Sequence, residues 1–292
     1  SPEISHKRPL AVIVENHPAA RPQSGLSEAD IVYETLAEGG ITRFLAIFQT
    51  KDTQSIGPVR SARDYFAEIA NDYSSLFAHV GGSDEVLLKL QNKQYKNLED
   101  VNQFYQASFF DRIKTKPAPH NVYTSTNKLR NYLENKNLNN KNSFNGWSFI
   151  TANNNPSLTQ TATTIEIPFS LPSYKVTYFY NQKENNYIRN QAGIPHLDAN
   201  TKQQIRVKNI IIQYVNITSL PDDPKLHVNI KLLGTGKGLI FKDGDSIPVT
   251  WTKEILKDTV FTDKNGELIK LNRGTTWIEL VPQTNKVTWK GN

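Results

Sequence analysis

The sequence predicts an α/β (α+β) fold, in which a mixed-sheet, layered amino-terminal domain precedes a mainly β carboxy-terminal domain. Before residue 134, apolar runs of strand length alternate with segments of helical period. A stretch rich in Asn, Ser and Thr follows, and beyond it apolar residues recur at every second position. We therefore expect an α/β domain at 8–134 that carries an Arg-rich loop, an Asn-rich linker or excursion at 135–164, and a mainly β domain at 165–292.

Three predicted strands open the chain. The run Leu10–Glu15 is apolar and lies between two prolines, which is typical of a buried strand. Residues 31–36 and 43–48 form two further runs, and the Gly39-Gly40 pair between them predicts a tight turn. We expect the second and third strands to be antiparallel neighbours.

After the third predicted strand, the spacing of the apolar residues changes to that of a helix. Aromatic and aliphatic residues at three- and four-residue spacing predict an amphipathic helix from Ser61, as its cap, to Asp72. A strand at Leu76–Val80 follows, and then a helix at Asp84–Gln91. A third helix is predicted to begin at Ser125 or Thr126 and to end near Glu134.

The carboxy-terminal half shows strand periodicity throughout. Hairpin dipeptides Asp243-Gly244 and Asn265-Gly266 lie between its apolar runs. The Gly-rich segment 234–238 lacks the spacing of a phosphate loop and precedes a strand-like run, so we expect a bulge or tight turn there. The predicted strands are 174–180, 187–189, 209–215, 226–232, 239–241 and 276–281.

Composition excludes several classes of protein. The 292 residues include no cysteine, which excludes disulfides, thiolate metal sites and a Cys nucleophile. The longest apolar runs are much shorter than the roughly 20 residues of a membrane-spanning helix. The net charge of +6 is compatible with attraction to polyanions or simply with a solubilising surface, and no specific nucleic-acid signature is present.

Arginine is concentrated in the amino-terminal half, and its guanidinium group binds carboxylate and phosphate groups bidentately. The turn-rich loop Asn16–Leu26 has too little apolar surface to be ordered by burial. Together with Arg43, Arg60, Arg63 and the amino terminus of the helix near Ser61, this loop predicts an anion site. Seven of the ten arginines precede residue 134: Arg8, Arg21, Arg43, Arg60, Arg63, Arg112 and Arg130.

The alternative interpretation is structural, with Arg21 and Arg43 paired to Glu15, Glu34 or Glu38.

Catalytic patterns in the sequence are weaker. Glu34 and Glu38 could form a carboxylate pair for acid and base chemistry, although their spacing alone does not favour this over surface or Arg-paired residues. His17, His79 and His120 each lie beside a predicted turn, where a histidine can act as a base or bind a metal, or simply bond to the backbone. No close His spacing and no nucleophile elbow accompany them. We therefore predict no metal site and no cofactor.

Several motifs resemble the YerB-like lipoprotein family, and the resemblance covers nearly the whole chain. The matching segments are Asn16–Leu26, Ala29–Glu34, Glu38–Phe44, Gly57–Arg63, Ala118–Thr124, Lys208–Gln213, Gly234–Gly238 and Gly274–Ile278. The resemblance implies a bacterial, usually Gram-positive, two-domain protein of unestablished function on the outer face of the cell membrane. Its membrane attachment would be a lipid on a cysteine upstream of Ser1, and we expect a monomer.

The family's motifs also select the residues of the predicted site, although the resemblance assigns no catalytic role to any of them. The predicted ligand-binding residues are Arg21, Gln23, Ser24, Glu34, Arg43, Arg60, Arg63, His120 and Asn121.

Two functions follow from these observations. The first is a surface-tethered protein that binds an anionic ligand or a partner protein. The second is a cell-envelope hydrolase or transferase that uses His120 or His79 with Glu34 or Glu38.

Overall fold

The computed structural model describes residues 7–139, 147–150, 159–255 and 257–291, which form two compact units. Unit 1 holds the described residues of 1–32, 43–144 and 198–202, and unit 2 holds those of 33–42, 145–197 and 203–292. Each unit is thus built from separate segments of the chain. Within the predicted linker, residues 140–146 and 151–158 lie outside the described part of the chain.

Two of the three predicted helices have the expected starts. The helices are α1 (Asp64–Asp72), α2 (Asp84–Gln91) and α3 (Thr126–Asn135). Ser83 precedes α2 as its N-cap, and Ser125 caps α3 by accepting a hydrogen bond from the Lys128 backbone N–H at 3.2 Å. Among the described residues, no helix combines the length and apolar character needed to cross a membrane.

Helix α1 begins three residues later than predicted, so the assignment of Ser61 as its cap is wrong. Arg63 is the N-cap, with extended backbone and no side-chain capping bond. The chain remains extended up to this point because Ala62 forms a parallel bridge with Gly82. This pairing outweighs the helical propensity of the residues before Asp64.

The strands include most of those predicted and several that were not. They are β1 (Leu10–Glu15), β2 (Ile31–Leu36), β3 (Thr42–Phe48), β4 (Leu76–His79), β5 (Glu99–Asn102), β6 (Asp111–Arg112), β7 (Val122–Tyr123), β8 (Thr164–Pro168), β9 (Lys175–Asn181), β10 (Asn186–Gln191), β11 (Ile194–Pro195), β12 (Arg206–Val207), β13 (Asn209–Ser219), β14 (Val228–Lys231), β15 (Gly234–Lys242), β16 (Asp245–Lys253), β17 (Val260–Thr262), β18 (Thr276–Pro282) and β19 (Thr288–Lys290).

Unit 1 contains the predicted mixed sheet, in the order β3-β1-β4-β5. Strand β1 runs antiparallel to β3 and parallel to β4, and β4 runs parallel to β5. All six residues of β1 are buried, and α1 packs on β4 and α2 through an apolar face that includes Phe66 and Ile69. The register places Glu15, the last residue of β1, opposite Arg43 of β3.

Unit 2 is mainly β, as predicted. One of its sheets has the order β17-β16-β15-β13-β18-β2, and a second has the order β19-β8-β9-β10-β11. The predicted Gly39-Gly40 turn is present in this unit, where the Ala37 N–H donates to the Ile41 carbonyl at 2.8 Å. Strand β18 lies between β13 and β2, so its side chains are almost all buried.

The glycine-rich segment at the start of β15 corrects one expectation. It forms neither a bulge nor a tight turn, because Gly234 to Lys242 pair with β16 in unbroken register. Glycine is required there by packing: a Cβ atom on Gly236 would lie 2.6 Å from the indole nitrogen of Trp251. The Trp251 ring therefore explains Gly236 without a ligand.

Candidate functional site

A polar cluster lies in unit 1 where β1 ends and the Asn16–Leu26 loop begins. We call it the Glu15 cluster, and its members are Glu15, Asn16, His17, Arg21, Gln23, Arg60, Lys116 and His120. Strand β1 fixes its centre rigidly, whereas its cationic members come from loops. Four of the predicted site residues, Arg21, Gln23, Arg60 and His120, meet in this cluster.

The carboxylate of Glu15 is the centre of the cluster and is only 4% exposed. Its Oε1 accepts from Nε of Arg60 at 3.1 Å, and its Oε2 contacts Nδ1 of His120 at 2.9 Å. The ring of His17 stacks on that of His120, with 5.1 Å between ring centroids. Since the Arg60 side chain remains 27% exposed, this centre is open to solvent on its cationic side.

The Asn16–Leu26 loop is ordered by hydrogen bonds, as its composition required. The guanidinium of Arg21 donates to the side-chain oxygen and the carbonyl of Asn16, both at 3.0 Å. The amide of Gln23 donates to the same side-chain oxygen and to the Glu15 carbonyl, again at 3.0 Å. Asn16 is fully buried, so it serves as the acceptor that fixes both side chains.

Lys116 bonds to the backbone of the Asn16–Leu26 loop. Its ammonium donates to the carbonyls of Ala20 and Pro22, the latter at 3.1 Å. Burial lowers the pKa of Lys116, and the nearby Glu15 carboxylate opposes that shift only in part. Burial, supplemented by the Glu15 charge, raises the pKa of Tyr123 to about 12.

Two predicted arginines support the backbone and are buried. Arg43 donates to the Ser61 carbonyl at 2.9 Å, and Arg63 donates to the Ala62 carbonyl at 2.7 Å. Both therefore support the segment that precedes α1. The amino terminus of α1 also carries its own carboxylate, Asp64, in its first turn.

The remaining predicted residues of unit 1 form hydrogen bonds between loops. The Ser24 N–H donates to the Gly57 carbonyl at 2.8 Å, and the side-chain oxygen of Asn121 accepts from Arg112 at 3.1 Å. Among the described contacts, these residues position the loops next to the Glu15 cluster and are not members of it.

The last predicted residue, Glu34, belongs to a second polar group, which lies entirely in unit 2. We call it the Glu34 network, and its members are Glu34, Thr42, Tyr178, Arg189, Gln191, His196, Trp277 and Glu279. Sequence reasoning missed Arg189 and Glu279, because each is a single charged residue in an otherwise apolar or uncharged strand.

Arg189 is the hub of this network and is completely buried. Its guanidinium pairs with Glu34, contacts Nδ1 of His196 and lies 4.4 Å from the ring centroid of Trp277. Its other bonds go to the Tyr178 hydroxyl oxygen at 3.2 Å and to the Gln191 amide oxygen at 2.8 Å. These contacts satisfy a buried charge, which is the usual condition for its presence in a core.

The histidines contact carboxylates that differ from those predicted. His79 places Nε2 at 2.7 Å from Asp100 and Nδ1 at 2.6 Å from the Gly81 carbonyl, so both of its ring nitrogens are engaged. His120 contacts Glu15, while Glu34 is occupied by Arg189 and Thr42. Among the described residues, no group of three or more His, Cys, Asp or Glu side chains could hold a metal ion.

Comparison with known proteins places both halves of the chain in one family. Residues 1–139 match the model described as "Protein of unknown function (DUF3048) N-terminal domain", and residues 165–278 match the corresponding C-terminal domain. The chain belongs to the DUF3048 family. This confirms the resemblance to YerB-like proteins.

A relative and a solved structure support this assignment. The protein named "Putative lipoprotein YerB" from Bacillus subtilis strain 168 is 34% identical over 280 residues, which cover 96% of this chain and 83% of the relative. The crystal structure of YerB protein from Bacillus subtilis matches with a TM-score of 0.86 and 33% identity, over 99% of this chain and 96% of that one. The DUF3048 family is described as having no known function, so the site must be interpreted from its own chemistry.

Proposed function

We propose that this DUF3048 protein is a lipid-anchored protein on the outer face of the bacterial membrane that binds an anionic ligand through the Glu15 cluster. The name of the Bacillus subtilis relative supports the lipid anchor. Fractionation of cells that make the protein with its native leader, followed by external protease treatment, tests the location. Retention in the membrane fraction together with cleavage by the protease is expected.

The observation that supports anion binding is the charge of the cluster. Three cationic groups belong to the cluster: Arg60 pairs with the buried Glu15 carboxylate, Arg21 bonds to the adjacent Asn16, and Lys116 feels the Glu15 charge. A positive group that is half-buried, as Lys116 is, has lost part of its hydration, and a bound anion would compensate that loss. Loop residues fixed by hydrogen bonds also reduce the entropy cost of binding.

The chemistry of the donors defines the ligand class. Guanidinium and ammonium groups bind phosphate, sulfate and carboxylate oxygens, which occur on envelope polymers, on peptide carboxyl termini and on acidic proteins. Sulfate and poly-L-glutamate are suitable probes, because they present the two kinds of oxyanion without other recognition features.

Calorimetric titration of both probes tests the proposal. Arg21→Ala and Lys116→Ala should each weaken binding by about tenfold, the value of one charge-assisted hydrogen bond. Lys89→Ala is the matched control, since Lys89 is a half-buried cation of the same unit that bonds to Glu85 and Asp64 instead. Equal affinities for all four proteins would contradict the proposal.

The contact between His120 and Glu15 favours a second candidate, a hydrolase or transferase. A carboxylate on Nδ1 orients an imidazole so that Nε2 can accept a proton from a nucleophile or water. Incubation with purified bacterial envelopes, followed by assay of released soluble fragments, distinguishes the two candidates. Release that His120→Ala abolishes supports the enzyme, and the binding protein releases nothing.

A further inference from the structure

The Glu34 network contains more carboxyl groups than cations. Glu34 and Glu279 are both 0% exposed, and the permanently charged cation of the network is Arg189, which pairs with Glu34. The contact of Arg189 with Nδ1 of His196 requires that nitrogen to accept, which makes this imidazole neutral. Two ionised carboxylates would therefore leave one net negative charge in a water-free core.

The hydrogen bonds of Glu279 indicate which of the two carboxyl groups is protonated. Its Oε1 accepts from the Tyr178 hydroxyl at 2.6 Å, whereas its Oε2 is buried and meets no donor among the described residues. Glu34 and Glu279 belong to the same buried network, because Arg189 pairs with Glu34 and also donates to the Tyr178 hydroxyl that bonds to Glu279. Two ionised carboxylates cannot form a hydrogen bond with each other because neither has a proton to donate, whereas a protonated carboxylic acid can donate to a carboxylate.

We propose that unit 2 holds one buried proton on Glu279, donated to Glu34, and that this proton makes the unit less stable as the pH rises. The proton would give Oε2 of Glu279 a hydrogen-bond partner and remove the excess negative charge. Glu34 would remain the partner of Arg189. The network would then be neutral overall, with one carboxylate and one guanidinium.

The strands around Glu279 contribute the following titratable and charged groups to the network. Glu34 comes from β2, Tyr178 from β9 and Arg189 from β10, while His196 follows β11. Strand β13 places Ile212 opposite Glu279 and contains no Asp, Glu, Lys, Arg or His. Burial raises the pKa of Glu279 and Glu34 raises it further, while Arg189 lowers it in part.

The direction of the pH effect follows from linkage. A carboxyl group whose pKa is raised in the folded state contributes most below its unfolded pKa, about 4.3 for Glu, and that contribution is lost as the pH rises towards the folded value. Within this interval the folded state binds one more proton than the unfolded state. The unfolding equilibrium constant should therefore rise about tenfold per pH unit from this group alone.

Glu279→Gln tests the proposal, because Gln reproduces the protonated acid: its oxygen can accept from Tyr178 and its amide can donate to Glu34. Urea unfolding of the full chain, followed by tryptophan fluorescence, reports on unit 2, which contains Trp147, Trp251, Trp277 and Trp289. The ratio of the wild-type to the variant unfolding constant should rise about tenfold per pH unit above about pH 5. A ratio independent of pH would overturn the proposal.

Glu166→Gln is the control, since Glu166 forms an exposed ion pair with Lys175 in the same unit. This substitution should leave the pH dependence of the unfolding constant as it is in the wild-type protein.

An infrared measurement keeps the proposal testable even where a variant does not fold. The wild-type protein at neutral pH should show the C=O stretching band of a protonated carboxylic acid in water-inaccessible surroundings. Its absence at neutral pH would overturn the assignment. Glu34→Gln should also remove the band, because Glu279 would then ionise as the partner of Arg189.

Discussion

The Glu15 cluster of unit 1 and the Glu34 network of unit 2 are built from the same residue types and differ in burial and charge balance. The first contains three cations and one carboxylate, and Arg60, which pairs with that carboxylate, is 27% exposed. The second encloses one guanidinium and two carboxyl groups, and Glu34 and Arg189 are both 0% exposed. The comparison teaches that arginine and glutamate in a motif indicate a ligand site only where solvent can reach the cation.

The energetic roles of the two groups should differ accordingly. Breaking a buried pair leaves an uncompensated charge in a low dielectric, which is costly. Breaking a partly exposed pair leaves groups that water can solvate. We therefore expect substitutions in the Glu34 network to change stability, and substitutions in the Glu15 cluster to change anion affinity.

The largest expected effect is that of Arg189→Met. It removes the cation beside Glu34 and the bonds to Tyr178 and Gln191, so the free energy of unfolding of unit 2 should fall by about 3–5 kcal/mol. Urea unfolding followed by circular dichroism, which reports on both units, measures this loss. Arg21→Met is the matched control, with an expected loss of under about 1 kcal/mol. Similar losses for both variants would remove the distinction between the two groups.

Tyr178→Phe should have the next largest effect. Its hydroxyl accepts from Arg189 and donates to Glu279, so its removal leaves both buried partners short of a bond. We expect the free energy of unfolding to fall by about 1–3 kcal/mol. Tyr105→Phe, at a position 80% exposed, should leave it unchanged within error. Equal stabilities of the two variants would show that the network is not bonded as described.

The fold was more predictable from sequence than the site. Strand β1 and helix α2 were predicted with their observed bounds, because a local apolar pattern determines both. Ser61 was misassigned as a cap because the bridge from Ala62 to Gly82, a contact distant in sequence, keeps that segment extended. Local propensity contains no information about such pairings.

The site residues show the same limit. Arg60 and His120 lie in recognisable motifs and meet at Glu15, but this convergence depends on tertiary contacts between residues up to 105 positions apart. Glu34 lies in an equally clear motif, yet its partner Arg189 lies 155 positions away, in a strand without any motif. The sequence therefore identified charged residues that are fixed in place, without separating a possible ligand site from a buried network.

Arg60→Gln separates the contribution of Arg60 to the stability of unit 1 from its contribution to anion binding. It removes one of the two partners of Glu15 and keeps the contact with His120, so stability should fall by only about 1 kcal/mol. Sulfate affinity should fall by about tenfold, since a cation is lost. Thermal unfolding and calorimetric titration of the same preparation separate the two effects. A large stability loss with unchanged affinity would assign Arg60 a structural role.

The smallest expected effect is a shift in the titration of Lys116. Burial lowers the pKa of this ammonium group, so the unfolded state binds more protons in the interval below its usual value, and stability there rises with pH. A bound anion should raise the pKa of Lys116, because an opposite charge favours the protonated ammonium. Carbon NMR of its Cε atom, with and without sulfate, measures the change. A pKa that is unaffected at saturating sulfate would place the anion elsewhere.

The most direct test compares the two groups in a single nitrogen–proton NMR spectrum that resolves the arginine Nε–H signals, recorded during a sulfate titration. We expect saturable shifts for Arg21 and Arg60 and none for Arg189, whose guanidinium is enclosed in the core. Unchanged signals from Arg21 and Arg60 at saturating sulfate would contradict this expectation, and the Glu15 cluster would then be a structural network like that of Glu34.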